Sequence, residues 1–209
     1  MTTKISKQSV TVLIIAAVIA AVAGFKILGS RGAKQIDSVA ARSTGGPNAK
    51  VHIVEFIDFQ CPACAYGSKL LKEQREKYPQ DIHLQVKYFP LIKTHTHAMQ
   101  SALYSECAAR QGRFWEFHEL LMPAQPQWSP LINAEANFLA MAKQAGIDKA
   151  RLDACLISDE AAKTINDERS LGQSLGVQST PTYFINNKMV VGSKSLMDEL
   201  NAYFPQTKQ

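Results

Sequence analysis

Apolar residues occur along this chain in runs of different length and period, and these runs predict an order of elements. Residues 10–25 form an apolar block with a single polar side chain, long enough for a helix. Residues 51–59 are rich in β-branched and aromatic side chains, as in a strand buried on both faces. Residues 66–78 have helical spacing, Pro62 suits the first turn, and residues 82–89 resemble a second strand. The order strand, helix, strand predicts a βαβ unit.

The middle of the chain, from about residue 96 to 175, has helical periodicity only, punctuated by glycines and prolines. The predicted helices there are 97–110, 113–121, 134–145, 149–157 and 159–175. Strand-like alternation returns in residues 182–186 and 189–191 around an Asn-Asn turn, and residues 195–203 predict a final helix. An α/β core interrupted by an all-helical insertion is the simplest fold that accounts for this order.

The N-terminal segment has the form of an export signal, because Lys4 and Lys7 precede the apolar block and no acidic residue does. Two interpretations stay open. The block, extended to residue 28, can anchor the chain in a membrane, or it can be cleaved, since Ala21-Val22-Ala23 has the small-x-small form of a cleavage site. A buried core helix is a third alternative. We assign 1–28 to a signal anchor or signal peptide, 29–49 to a linker, and 50–205 to the folded domain.

The composition excludes some classes of function. The formal net charge is +5 in 209 residues, and the lysines are scattered along the chain. No arginine-rich run or basic patch interleaved with aromatic residues occurs, so nothing in the sequence supports nucleic-acid binding. About 160 residues follow the linker, which is enough for one domain with its own core.

Two of the four cysteines, in Cys61-Pro62-Ala63-Cys64, directly follow the first strand and begin the next helix. Unpaired N–H groups and the helix dipole at such a position favour a thiolate over a thiol. Cys61 is therefore the predicted nucleophile. Cys64 lies one helical turn later on the same face and can attack a mixed disulfide formed at Cys61. The spacing predicts a dithiol that exchanges electrons with other thiols.

A glutamate stands among the apolar residues of the first predicted strand. An unpaired carboxylate at Glu55 would be energetically costly, so one interpretation is a buried acid with a function. The alternative is an edge or interface glutamate that reaches solvent. Asp58 has the opposite parity in the strand, and we predict that it is a capping or surface residue.

Several segments together resemble the thioredoxin superfamily, and the long helical insertion resembles its DsbA-like branch. The resemblance covers about residues 50–204 and is carried by the Cys-Pro-Ala-Cys motif, by Thr180-Pro181-Thr182 before a strand, and by residues 111–115 and 175–186. It implies an α/β, thioredoxin-like fold with an inserted all-helical subdomain, preceded in this chain by an N-terminal apolar helix.

The resemblance also implies how substrate would bind. Pro181 should follow a cis peptide bond, although without the upstream cysteine motif an ordinary trans proline would be expected at this position. The backbone of Thr180 would then be free to pair with an extended substrate chain. Thr180, Pro181, Pro62 and Ala63 are the expected substrate-binding residues.

Two further implications concern reactivity. Family members have an acid at the position of Glu55, where it would relay the proton that Cys64 loses when Cys64 attacks. DsbA itself has a histidine before its second cysteine, whereas this chain has Ala63. Because this chain lacks the stabilisation of the thiolate that the histidine provides, we expect it to be a milder oxidant than DsbA.

Cys107 and Cys155, the other two cysteines, both fall in the helical insertion, 48 residues apart. Similar proteins of the DsbA-like branch have a structural disulfide here, which implies that these two residues pair; two buried free thiols are the alternative. Closing such a loop would stabilise the fold by about 4 kcal/mol. We expect no metal site at His95 and His97, since neither of these cysteines supplies the compact second ligand pair that zinc requires.

These features together predict an exported thiol–disulfide oxidoreductase that introduces disulfide bonds into unfolded or partly folded proteins and is reoxidised by a membrane redox partner. No metal, flavin, nucleotide or nucleic acid is implied, and we expect a monomer. The expected location is the periplasm or cell envelope, with residues 10–28 anchoring the chain in the inner membrane if they are retained. Two alternatives stay open: a membrane-tethered disulfide reductase or isomerase, and a non-redox chaperone module that binds peptides.

Overall fold

The computed structural model describes residues 37–205. The apolar helix predicted within residues 1–28, including the anchor at 10–28, lies outside the described residues. Within residues 37–205, no helix has both the length and the apolar character needed to cross a membrane.

The described residues form a five-stranded mixed sheet surrounded by helices. The strands are β1 (Ser43–Thr44), β2 (Val51–Ile57), β3 (Ile82–Tyr88), β4 (Thr182–Ile185) and β5 (Lys188–Val191). Their order across the sheet is β1-β3-β2-β4-β5. Strands β2 and β3 are parallel, and the other neighbouring pairs are antiparallel.

Nine helices are described between residues 37 and 205, and six of them belong to the insertion. They are α1 (Ser38–Ala41), α2 (Pro62–Lys77), α3 (Ala98–Ala109), α4 (Phe114–Leu121), α5 (Gln125–Trp128), α6 (Glu135–Gln144), α7 (Lys149–Leu156), α8 (Asp159–Ser174) and α9 (Gly192–Tyr203). This arrangement confirms the predicted α/β fold with an all-helical insertion.

The predicted βαβ unit is confirmed as β2-α2-β3. Strand β2 is central in the sheet, and its side chains Ile53 and Phe56 are fully buried, which explains its nearly continuous apolar sequence. Helix α2 starts with Pro62, whose missing N–H has no intrahelical partner to lose. The first cysteine of the motif therefore lies at the carboxyl end of a central strand, where open α/β sheets place their chemistry.

The hairpin that joins β4 and β5 is also confirmed. Asn186 and Asn187 have φ of 46° and 71°, which are the positive values that a two-residue turn of this kind requires. Helix α9 follows directly from Gly192 and packs on α2, and the rings of Tyr78 and Phe204 stack 4.1 Å apart at the ends of these two helices. This packing closes one face of the sheet.

The insertion has its own aromatic core. The rings of Trp128 and Phe138 lie 5.1 Å apart, and those of Tyr104 and Phe138 lie 5.3 Å apart. Trp128 and Phe138 are fully buried, and the Trp128 indole donates a hydrogen bond to the carbonyl oxygen of Leu121 (2.9 Å). This core fixes α5, a four-residue helix that periodicity could not predict.

The predicted linker at residues 29–49 is wrong in the part that the structure describes. Asp37 caps α1, and β1 pairs with β3 at the sheet edge. Arg42, between them, is fully buried, and its two terminal nitrogens bind the carboxylate of Glu168 at 2.8 and 3.0 Å. A two-residue strand has no apolar period, and the partner of Arg42 is 126 residues away, so the local sequence carries no sign of this contact.

Candidate active site

The two cysteines of the Cys-Pro-Ala-Cys motif lie where β2 is followed by α2, and both are free cysteines. Cys61 is the N-cap residue of α2, and its carbonyl oxygen accepts the first helical hydrogen bonds from Cys64 (3.0 Å) and Ala65 (3.2 Å). Cys61 is 8% exposed, whereas Cys64 is fully buried. Pro62 and Ala63 between them are exposed. Both cysteines are therefore buried, and Cys61 is the less deeply buried of the two.

The surroundings of the two sulfurs change their acidity in opposite directions. The pKa of Cys61 is lowered to about 5, chiefly because the Cys64 thiol can donate a hydrogen bond to the Cys61 sulfur. Burial acts in the opposite direction and raises the pKa. The Thr180 side chain and the N–H groups of Cys64 and Ala63 lower it further. Burial raises the pKa of Cys64, and the neighbouring Cys61 and Glu55 raise it further. At neutral pH the sulfur of Cys61 is a thiolate and that of Cys64 a thiol.

The segment before β4 lies against the Cys61 sulfur. The Thr180–Pro181 peptide bond is cis, as the resemblance implied. Cys61 Sγ lies 3.4 Å from the carbonyl oxygen of Thr180. The carbonyl oxygen of Pro181 accepts a hydrogen bond from the N–H of Gly192 (2.9 Å), which ties this segment to the start of α9. The structure thus brings together the two segments that are separated by 119 residues in the sequence.

Glu55 is a buried acid, not an edge residue: it is 1% exposed and faces Tyr183 of β4 across the sheet. Among the described residues its Oε1 has no hydrogen-bond partner. Burial raises the pKa of Glu55 to about 8, and the hydroxyl of Tyr183 only partly offsets this effect. A β-carbon at Gly67 of α2 would overlap that hydroxyl, so the glycine makes room for it. Glu55 therefore keeps its proton at neutral pH.

A cavity of about 420 Å³ is partly lined by Glu55 and separates α2 from α4 and α5. Its walls include the apolar side chains of Leu84 and Met122, and the exposed lysines Lys69 and Lys72 stand at its edge. A cavity of this size has room for on the order of ten water molecules. The carboxyl group of Glu55, although buried in the sheet, is therefore adjacent to a space that water can fill.

A family model described as "Thioredoxin" matches residues 37–203, which is most of the chain. The chain belongs to the thioredoxin family. A free dithiol at the start of a helix, opposite a cis-proline, is an arrangement suited to thiol–disulfide exchange. The family model begins at residue 37, in agreement with the folded segment that replaces the second half of the predicted linker.

Solved structures place this thioredoxin with the DsbA-like folds. BdbD from Bacillus subtilis is 22% identical, with a TM-score of 0.67 over 80% of this chain and 95% of that chain. The alpha-DsbA1 protein of Wolbachia pipientis is 19% identical, with a TM-score of 0.66 over 77% of this chain and 87% of that one. At these identities the likeness shows the fold, and it confirms the DsbA-like fold that the motifs predicted.

A third similarity is to part of a much larger protein. The Na(+)/H(+) antiporter NhaA 1 of Mycolicibacterium gilvum is 30% identical over 167 residues, which are 79% of this chain and 25% of the antiporter. The chain thus spans about a quarter of the length of this curated relative. Antiport is a property named for that protein.

The structure contains the disulfide between Cys107 and Cys155 that the resemblance implied. It joins α3 to α7 inside the insertion, away from the Cys-Pro-Ala-Cys motif. The alternative of two buried free thiols does not hold. The thioredoxin therefore combines one disulfide in the insertion with one free dithiol at the sheet.

Asp58 is not the surface residue that parity predicted. Its side chain is 1% exposed; Oδ1 accepts a hydrogen bond from the N–H of Gln60 (2.7 Å), and Oδ2 accepts one from the N–H of Leu91 (2.7 Å) and contacts His95 Nδ1 (2.9 Å). Strand β2 ends at Ile57, so the alternation on which the prediction depended stops one residue before Asp58. The predicted capping role is closer to the observed contacts than the surface role, because Asp58 fixes the turn that leads to the motif.

Two glutamines near the motif were missed by the sequence analysis. The Gln125 side chain, 5% exposed, donates hydrogen bonds to the carbonyl oxygens of Phe59 (2.7 Å) and Cys61 (3.0 Å). Gln60 donates to the carbonyl oxygen of Ser129 (3.1 Å) and accepts a hydrogen bond from the N–H of His97 (2.6 Å). No spacing or periodicity marks these residues, since their partners are far away in the sequence.

The histidines near the site have structural contacts. His97 is the N-cap residue of α3, and its Nε2 lies 2.7 Å from the carbonyl oxygen of Leu131. His118 packs among aromatic rings, including Phe114 and Trp115 at 5.6 and 5.5 Å. Burial lowers the pKa of His118 to about 4, so this ring is neutral. His118 therefore has a packing role.

Proposed function

We propose that this protein is a thiol–disulfide oxidase that passes its Cys61–Cys64 disulfide to exported proteins. The observation that carries the proposal is the opposite perturbation of the two sulfurs: the pKa of Cys61 is lowered to about 5, and that of Cys64 is raised. Stabilising the Cys61 thiolate stabilises the reduced dithiol. The corresponding disulfide is therefore a stronger oxidant.

The first step is attack of a substrate thiolate on Sγ of Cys61, the less buried cysteine, in the oxidised enzyme. A bond forms between the substrate sulfur and Cys61, and the Cys61–Cys64 bond breaks, with the electron pair leaving on Cys64. Burial makes the Cys64 thiolate unfavourable, so the Cys64 sulfur takes up a proton. Glu55 supplies this proton, because it is protonated up to a pH of about 8 and its charge is coupled to Cys64.

The second step releases the product. A second substrate thiolate attacks the substrate sulfur of the mixed disulfide, the substrate disulfide forms, and Cys61 leaves as a thiolate. Its low pKa makes it a good leaving group. The enzyme dithiol then passes the two electrons that it took from the substrate to a membrane redox partner. In the reverse direction Cys64 would lose a proton to ionised Glu55 and expel a substrate from Cys61.

We propose that substrates bind in extended form beside the cis-proline. Pro62 and Ala63, which directly follow Cys61, are exposed, and the carbonyl oxygen of Thr180, the residue before Pro181, lies 3.4 Å from the Cys61 sulfur. A cysteine-containing segment that is unfolded can bring its backbone to Thr180 while its sulfur reaches Cys61. Folded proteins cannot do so, which favours unfolded or partly folded partners.

We propose an extracytoplasmic location, in the periplasm or cell envelope. The disulfide in the insertion supports it, since structural disulfides persist in oxidising compartments. The charged and then apolar sequence of residues 1–28 supports export, as a cleaved signal or as an anchor in the inner membrane.

The decisive experiment combines a reduction potential with an activity assay. Equilibration of the purified protein with glutathione buffers should give a potential above about −200 mV, and the oxidised protein should form disulfides in a reduced two-cysteine peptide. Cys61→Ala is the matched control and should lack both properties. A potential near about −270 mV, the value of thioredoxin, would favour the reductase or isomerase alternative. Full function of Cys61→Ala in cells would favour the non-redox chaperone.

A further inference from the structure

The helical insertion reaches into the catalytic turn through one buried side chain. Gln125 is the first residue of α5, and its amide nitrogen donates to the carbonyl oxygens of Phe59 and Cys61 at 2.7 and 3.0 Å. These two carbonyls flank Gln60, so one amide bridges the turn that ends at the nucleophile. The side chain is 5% exposed, and burying an amide is favourable only when it is hydrogen-bonded.

The Cys61 carbonyl is also the first acceptor of α2, since it receives the N–H groups of Cys64 and Ala65 at 3.0 and 3.2 Å. The amide of Gln125 is a third donor at the same oxygen. It therefore fixes the orientation of the N-cap residue relative to the first turn of the helix. The N–H groups of Cys64 and Ala63 in that turn add to the stabilisation of the Cys61 thiolate, which comes chiefly from the Cys64 thiol.

A second contact holds the same turn from the other end of α5. The Gln60 side chain donates to the carbonyl oxygen and to the hydroxyl of Ser129, the C-cap residue of α5, at 3.1 and 3.2 Å. Its own oxygen accepts the N–H of His97, at the start of α3. The catalytic turn is thus hydrogen-bonded to both ends of α5 and to the start of α3.

We propose that Gln125 is a positioning residue for Cys61: through its two carbonyl contacts the helical insertion keeps the nucleophilic sulfur aligned with the N–H groups at the start of α2. The proposal rests on the proposed function only in taking Cys61 as the reacting sulfur. Gln125 touches neither substrate nor sulfur. Its effect is therefore on the acidity of Cys61 and on the redox potential, and both can be measured without substrate.

The test compares wild type with Gln125→Met, which keeps the length of the side chain and removes the donor. We expect the pKa of the Cys61 thiol to rise by about one, which is a tenfold loss of thiolate stabilisation. A tenfold change in the equilibrium with glutathione lowers the reduction potential by about 30 mV. The thiolate is followed by its ultraviolet absorbance during a pH titration of the reduced protein.

The matched control is Gln127→Ala, two residues along the same helix and exposed. It should leave the pKa of Cys61 and the potential unchanged. If Gln125→Met does not fold, Gln125→Leu replaces it, because it also removes the donor without adding a charge; it should raise the pKa of Cys61 as well. A lower melting temperature with an unchanged pKa and potential would mean that Gln125 is only structural, and would overturn the proposal.

Failure of this proposal and failure of the oxidase function give different results. If wild type has a potential near that of thioredoxin but Gln125→Met still raises the pKa of Cys61, the oxidase direction is wrong and the positioning role stands. If wild type is oxidising and Gln125→Met matches it in both pKa and potential, the positioning role is wrong and the function stands.

Discussion

The burial of Glu55 predicts that the oxidised protein loses stability as pH rises through the neutral range. In the unfolded chain the carboxyl ionises near its ordinary pKa of 4.5, whereas in the fold it stays protonated up to about 8. Between these values the folded state binds the additional proton, so the free energy of unfolding falls as pH increases, and it levels off above about 8. The full loss is about 5 kcal/mol.

Replacing the acid by an amide removes this dependence. Gln at this position resembles the neutral carboxyl in size and polarity, so Glu55→Gln should be similar in stability to wild type at about pH 5 and more stable by several kcal/mol at about pH 9. Urea unfolding followed by tryptophan fluorescence measures the free energy of unfolding of both proteins at each pH. The disulfide form is used because its cysteines do not titrate. Glu76→Gln, an exposed change on α2, controls for the loss of one negative charge.

The contrary result is a stability difference between Glu55→Gln and wild type that is the same at the two pH values, within about 1 kcal/mol. Glu55 would then ionise as easily in the fold as in the unfolded chain. It could not hold a proton for Cys64 at neutral pH, and the first step of the proposed mechanism would need another donor.

Three further predictions concern the cysteines and the buried ion pair. In the reduced protein the thiolate absorbance should titrate with a pKa of about 5 and disappear in Cys61→Ser; a midpoint near that of free cysteine contradicts the assignment. Replacing Cys107 and Cys155 by alanine should lower the free energy of unfolding by about 4 kcal/mol, because the disulfide closes a loop of 48 residues, and should leave the potential of the active-site dithiol unchanged. Arg42→Met should cost about 3 to 5 kcal/mol in urea unfolding, since it leaves Glu168 buried with less charge compensation, and adding Glu168→Met should recover much of that loss.

The elements with a strong local signal could be predicted from the sequence. The long runs predict the boundaries of β2, α2 and β3 to within two residues, except that the first turn of α2 was missed. The Asn-Asn pair marks the hairpin. The cysteine motif has a fixed spacing, and its position after a strand is visible in the sequence. These features can be recognised in the sequence because each depends on residues that are close to one another along the chain.

The missed features depend on distant partners or on very short elements. Helix α5 has four residues and strand β1 has two, too few for any period to be recognised. The burial of Arg42 depends on Glu168, and the two hydrogen bonds of Gln125 depend on a turn more than sixty residues earlier. An arginine or a glutamine in a polar segment usually lies at the surface, so the sequence alone favours the wrong environment for both.

Glu55 and Asp58 show that burial alone does not determine the role of an acid. Both are 1% exposed and only three residues apart. Asp58 accepts hydrogen bonds from two backbone N–H groups and contacts His95, so its negative charge is compensated and it serves to fix the turn. Glu55 has an oxygen with no partner among the described residues and borders a cavity that water can fill. A carboxyl that is poorly compensated and can exchange its proton is suited to proton transfer, whereas a fully compensated one is not, and only the three-dimensional contacts distinguish the two.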